Sequence, residues 1–198
     1  MTDVAPPTGS AKSQTVKSVL DMIVRINRWI SLLGTAVTLG ALMAHVLELP
    51  NKFELDGPLW LAVQQNLYRG WGAFVGPFEV TAIVSTWLLL YLVRENRTVF
   101  SLTLLASFLL SAALVVFFVL NAPVNATFAG WTPVTVPPDW PSYRLRWEAG
   151  HAASFVFVLI AFVALLRALF LDATGRASRT GTARQDARAN TPERVAGH

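Results

Sequence analysis

Four stretches of this chain, residues 30–49, 71–93, 99–120 and 152–171, are each about as long and as apolar as a helix that crosses a lipid bilayer. A hydrocarbon core of ~30 Å needs ~20 mostly apolar residues. Lipid offers the backbone no hydrogen-bond partner, so a spanning segment has to be a helix or part of a closed barrel. The reading is all-α: an integral membrane four-helix bundle over residues 17–173, with two longer outer loops and disordered tails at 1–16 and 174–198. Composition agrees, since 54% of the residues are hydrophobic and only 14% charged, away from the soluble norm on both counts. Lys12, Lys17, Arg25 and Arg28 precede the first run, and no small-residue cleavage site follows a short apolar core. That run therefore reads as a retained anchor.

Orientation follows from the basic residues, which accumulate on the cytoplasmic side. Of the 16 Lys and Arg, 12 fall in the N-terminal segment, the 94–98 turn or the stretch from Arg167 onward; the other two connections hold Lys52, Arg69, Arg144 and Arg146. Both termini are expected in the cytoplasm, in a multi-pass protein of a plasma or inner membrane. The net charge of +4 lies mostly in tails and short loops, which excludes a nucleic-acid-binding face. The absence of cysteine removes disulfides, thiolate metal sites and Cys nucleophiles.

The connections differ in kind. Arg94 to Thr98 is a tight turn, which makes the second and third spans antiparallel neighbours. Residues 50–70 and 121–151 are longer. In the first, Asp56-Gly57-Pro58 predicts a cap followed by a short helix over Leu59 to Leu67; the second, with Pro133, Pro137, Pro138 and Pro141, is expected to be extended with turns. Trp60, Trp131, Trp140 and Trp147 lie in these loops. Tryptophan here serves either as an interfacial anchor or as an aromatic wall of a ligand site.

Ionisable groups inside a span are costly and mark function by default. His45 and Glu48 end the first span, Glu79 lies about two turns into the second, Asn121 and Asn125 flank Pro123, and Glu148 and His151 open the fourth. All lie in the outer half. His45 with Glu48, and Glu148 with His151, are spaced three apart and share a helical face. With Glu79 they form a candidate metal set of His45, Glu48, Glu79, Glu148 and His151, like those of di-iron bundles. Imidazole with carboxylate suits iron or another transition metal, and the same groups also do proton chemistry with no metal at all. Haem held between His45 and His151 is a further reading. A purely structural polar network in a non-catalytic binding or assembly subunit stands beside these.

Several separated pieces resemble one family. They are Pro123-Val124-Asn125, Pro138-Asp139-Trp140, the Arg-x-Arg-Trp-Glu-x-x-His run from Arg144 to His151, Gly76-Pro77-Phe78-Glu79, and His45. Together they resemble the anthrone oxygenase-like family of small four-span membrane proteins over about residues 28–171. The resemblance implies an oxidoreductase that turns a lipophilic aromatic small molecule, an anthrone, into the anthraquinone with dioxygen. Carried over by position, His45, Glu79, Asn125, Trp147 and His151 are the family-like residues. On this reading Glu79, His45 and His151 are catalytic, and Asn125, Trp147, Trp131 and Trp140 contact the substrate. The metal set comes from spacing and not from the family.

Overall fold

The computed structural model describes residues 9–189, and no strand occurs among them. Helix α1 spans Gly9–Leu47, α2 Leu49–Glu54, α3 Gly57–Asn66, α4 Trp71–Leu92, α5 Arg97–Val116, α6 Ala122–Phe128 and α7 Trp140–Ala189; a π-helical turn, Phe117–Asn121, joins α5 to α6. Four stretches are long and apolar enough to cross a membrane: Lys12–Leu47, Trp71–Leu92, Arg97–Phe128 and Trp140–Thr174. This is a multi-pass helical bundle. In it α1 packs on α4 and α7, and α5 packs on α4 and α7, so the four form a ring. One end carries the two long connections and is called the loop end; the other carries the start of α1 and the 94–98 turn and is called the tail end.

Three expectations need correction. Residues 9–16 and 174–189, read as disordered, continue α1 and α7. Once a span has nucleated a helix, each added residue costs little, and the Ala and Arg of the C-terminal stretch are good helix formers. Residues 1–8 and 190–198 lie outside the described residues. The 121–151 connection is mostly helical, because α6 and the start of α7 occupy it and leave only 129–139 as loop. Pro141 initiates rather than interrupts, since it stands in the first turn of α7, where no N–H is needed. The α3 expectation holds, with Asp56 accepting the Leu59 N–H at 2.9 Å.

The tail half of the bundle is closely packed. Ala82, Ala106, Ala161, Ala164 and Ala168 are buried with Leu89, Leu110 and Leu165. Buried hydroxyls are satisfied within their own helices: Ser31, Thr35, Thr86, Thr103 and Ser107 each donate to the carbonyl four residues back. Between helices, Asn27 Nδ2 donates to the Ser85 carbonyl at 2.6 Å, and Ser31 bonds Ser85 through their hydroxyls at 3.0 Å. Small residues that let backbones approach are how helices adhere in lipid, where no hydrophobic force draws them together. Gly34 shows it: a Cβ there would stand 3.0 Å from the Phe78 carbonyl and 3.1 Å from Ala82 Cβ. At the tail end Arg28 Nη1 pairs with Asp172 Oδ2 at 2.7 Å and ties α1 to α7.

The loop half is built differently. From Trp71 to Thr81 no residue of α4 is buried, and Pro77 inside that helix leaves a carbonyl without its ladder partner. Across from it, Pro123 has no N–H for the Val119 carbonyl. The chain widens into the π turn, in which the Ala122 N–H reaches the Phe117 carbonyl five residues back. Arg146 Nη2 takes up the Val119 carbonyl at 2.6 Å. Such π turns occur often at functional sites. A separate aromatic core, with Trp60, Leu61, Val124, Phe128 and Trp147 buried, roofs this end.

Candidate functional site

The splayed half of α4 leaves a cavity of about 820 Å³ between the helices at the loop end. That volume lies within the range of about 300–1,000 Å³ typical of small-molecule sites. His45, Glu79, Asn125, Trp131, Trp147 and His151 all line it, so six of the residues singled out by sequence meet in one place. Tyr68, Trp71, Phe117 and Phe128 add aromatic wall. Val80 and Phe118 also line it, yet are 49% and 61% exposed on the outside of the bundle. Both lie within membrane-spanning stretches, so the cavity has an edge on the lipid side between α4 and the π turn.

Each polar group is placed by a local feature. His45 stands in the last turn of α1. Its ring lies 4.3 Å from that of His151, 4.6 Å from Tyr68 and 5.0 Å from Trp147, centroid to centroid. His151 is on α7, one turn after Trp147, with Nδ1 3.0 Å from the Trp147 carbonyl. Asn121, on the π turn, donates to that carbonyl at 2.8 Å and lies against His151 Nδ1. This approach requires Gly150, because any Cβ there would collide with the Asn121 amide. Asn125 accepts the Trp147 indole N–H at 2.7 Å and so sets the plane of that ring. Glu79 has neither an ion pair nor a hydrogen bond among the described residues.

The five-residue metal set does not assemble. Among the described residues no three His, Asp or Glu side chains are placed to hold a metal ion. Both i, i+3 pairs divide: the imidazoles line the cavity, whereas Glu48 and Glu148 lie outside its lining and meet Lys52 instead. In each pair the carboxylate is drawn to the Lys52 ammonium while the imidazole ring stays at the cavity. Lys52 Nζ is 3.2 Å from Glu48 and 3.5 Å from Glu148. The two rings as placed do not suit bis-histidine haem: trans imidazoles on one iron have their ligating nitrogens ~4 Å apart, across two bonds of ~2 Å, and their centroids further apart still, whereas the His45 and His151 centroids are 4.3 Å apart. Trp140 also departs from expectation. It packs on Trp60 and under the Arg144 guanidinium, away from the cavity, because α7 begins at this residue and α3 lies against it.

Sequence reasoning passed over Lys52, Tyr68 and Gln65. Lys52 follows His45 by seven and Glu48 by four, a helical spacing that was visible; Pro50 between them hid it. Tyr68 donates to Glu48 through its hydroxyl. Burial pushes the Tyr68 pKa above its ordinary value, and the Glu48 hydrogen bond pushes the same way, so the phenol stays protonated. Gln65 donates to the Phe128 and Trp131 carbonyls, both at 3.0 Å, and pins the loop over the cavity. The arrangement offers an apolar, ring-lined space in which two imidazoles and one unpaired carboxyl can donate, accept or move a proton. No family model matches this chain, and neither a curated protein nor a solved structure matches it.

Proposed function

We propose that the protein is a membrane-embedded oxidoreductase that takes a lipophilic aromatic molecule of the anthrone class from the bilayer and oxidises it in this cavity. The observation that carries the reading is the coincidence of aromatic walls, a lipid-side edge at Val80 and Phe118, and the His45, His151 and Glu79 side chains in one space. A planar tricycle stacks on such walls. An anthrone's methylene is acidic, and removal of its proton by a neighbouring base leaves a carbanion delocalised onto the ring oxygen. Glu79 and His151 are the two candidate bases. Dioxygen adds at that carbon, and the resulting hydroperoxide loses water. One substrate CH₂ and one O₂ thus give one C=O and one H₂O, with no electrons left over.

Purified protein in lipid nanodiscs, supplied with an anthrone, is expected to consume oxygen and produce the anthraquinone absorbance faster than empty nanodiscs do. Conversion no faster than in empty nanodiscs, for both plain and hydroxylated anthrones, removes the reading. The same reading has both tails in the cytoplasm, from the distribution of Lys and Arg. Reporters fused after Asn96 should read cytoplasmic, and those near Asp139 external.

A further inference from the structure

Two carboxylates and one imidazole at the loop end are organised around a cation the chain itself supplies. Lys52 is 3% exposed, unusual for a lysine. Its Nζ has Glu48 Oε2 at 3.2 Å, Glu148 Oε2 at 3.5 Å and His45 Nδ1 at 3.4 Å. The faces of the Tyr68 and Trp147 rings lie 4.6 and 5.0 Å away. Carboxylates and aromatic faces are the surroundings of an ammonium ion. Three of the five side chains that sequence spacing offered to a metal, His45, Glu48 and Glu148, are those gathered by this ammonium.

We infer that Lys52 is the positioning residue of the site: its ammonium holds His45 in the tautomer whose proton is on Nε2, with Nδ1 as acceptor. An ammonium has donors only. The imidazole nitrogen facing it must therefore present its lone pair, and in a neutral ring the proton then resides on the opposite nitrogen. Since His45 lines the cavity, this makes it a hydrogen-bond donor to an oxygen of the occupant, suited to charge that develops there, and leaves base chemistry to other groups. Glu48 and Glu148 hold the lysine, and the Tyr68 hydroxyl holds Glu48. The use of the Nε2–H for an anthrone oxygen rests on the proposed function; the tautomer does not.

The test is nitrogen NMR of ¹⁵N-histidine-labelled protein in nanodiscs, with His45 assigned from the spectrum of His45→Gln. Wild type should show a protonated Nε2 and an unprotonated Nδ1 at His45. In the double variant Lys52→Met with Glu148→Gln, which removes both buried charges together, the two His45 signals should move toward each other as the tautomers mix. Lys52→Arg should restore the wild-type pattern. A protonated Nδ1 at His45 in wild type overturns the inference with no variant needed, as do His45 signals unchanged in the folded double variant. Neither readout depends on turnover, so an inactive protein with the stated tautomer would reject the anthrone reading alone.

Discussion

The same four helices are packed by opposite rules at their two ends. At the tail end they touch through Gly, Ala, Ser and Thr, with most hydroxyls returned to their own helix and Ser31 also meeting Ser85 across α1 and α4. At the loop end they stand apart, held by long aromatic and charged side chains around a cavity. Prolines 77 and 123 mark the change, since each removes an N–H from a ladder that is otherwise continuous. The difference teaches that close packing and a functional opening are separated along the helix axis. The first supplies adhesion in lipid, and the second is free to carry groups that lipid would penalise.

The sharpest way to break the comparison is to strike the one charge cluster at the loop end. Lys52→Met leaves Glu148, which is 1% exposed, without its only ion-pair partner among the described residues. A buried charge stranded in this way costs about 3–5 kcal/mol. The midpoint of unfolding in detergent should fall steeply, and adding Glu148→Gln should recover most of the loss. If the single variant is as stable as wild type, the cluster is not a buried ion pair.

A second strike falls where the halves meet. Gly34→Leu forces a side chain against the Phe78 carbonyl and Ala82 and should cost about 1–3 kcal/mol by overpacking. Gly40→Leu, on the same helix with open space at its Cβ, is the control and should cost far less. Equal losses at the two positions would mean that α1 and α4 adhere elsewhere.

These effects also show what sequence could and could not reveal. The four spans, the Asp56 cap and the tight 94–98 turn are local properties, written in hydropathy and in capping and turn residues, and the structure carries them all. The convergence of His45, Glu79, Asn125, Trp147 and His151 was legible because antiparallel spans bring like ends level and each residue lies near the same end. What sequence did not reveal depends on direction. Spacing of three placed Glu48 near His45 but did not show that both meet Lys52, which α2 brings back beside them. Trp140 lay in a loop by composition, but it begins α7 and packs beneath Arg144. Lys52 read as a loop cation because its burial comes from Trp147 and Glu148, roughly a hundred residues away in sequence.

A smaller effect is expected at Asn125→Leu, which leaves the Trp147 indole in place and removes only the amide that accepts its N–H at 2.7 Å. Losing one net hydrogen bond costs about 0.5–1.5 kcal/mol. The more telling readout is the affinity of the cavity for a planar aromatic, measured by quenching of tryptophan fluorescence. With its plane no longer set by Asn125, the ring at position 147 should weaken binding more than it lowers stability. Unchanged affinity would mean that this hydrogen bond does not set the site's wall.

The smallest effect on stability should come from Glu79→Gln, and that smallness is its meaning. A buried carboxyl kept for structure has a cation beside it, as Glu148 has Lys52. Glu79 lines the cavity without one. Replacing it by an amide of the same size strands no partner and removes a group that is costly to ionise away from water, so stability should change by no more than about 0.5 kcal/mol. Function should change far more. If Glu79 takes the methylene proton, the variant should stay folded and bind an anthrone as wild type does, yet lose oxygen uptake by the factor of about 10²–10⁴ that general-base catalysis supplies. Melting temperature, binding and turnover measured on one preparation separate the outcomes. A clear fall in stability with turnover per folded molecule intact would make Glu79 a structural residue after all, and would leave His151 as the base.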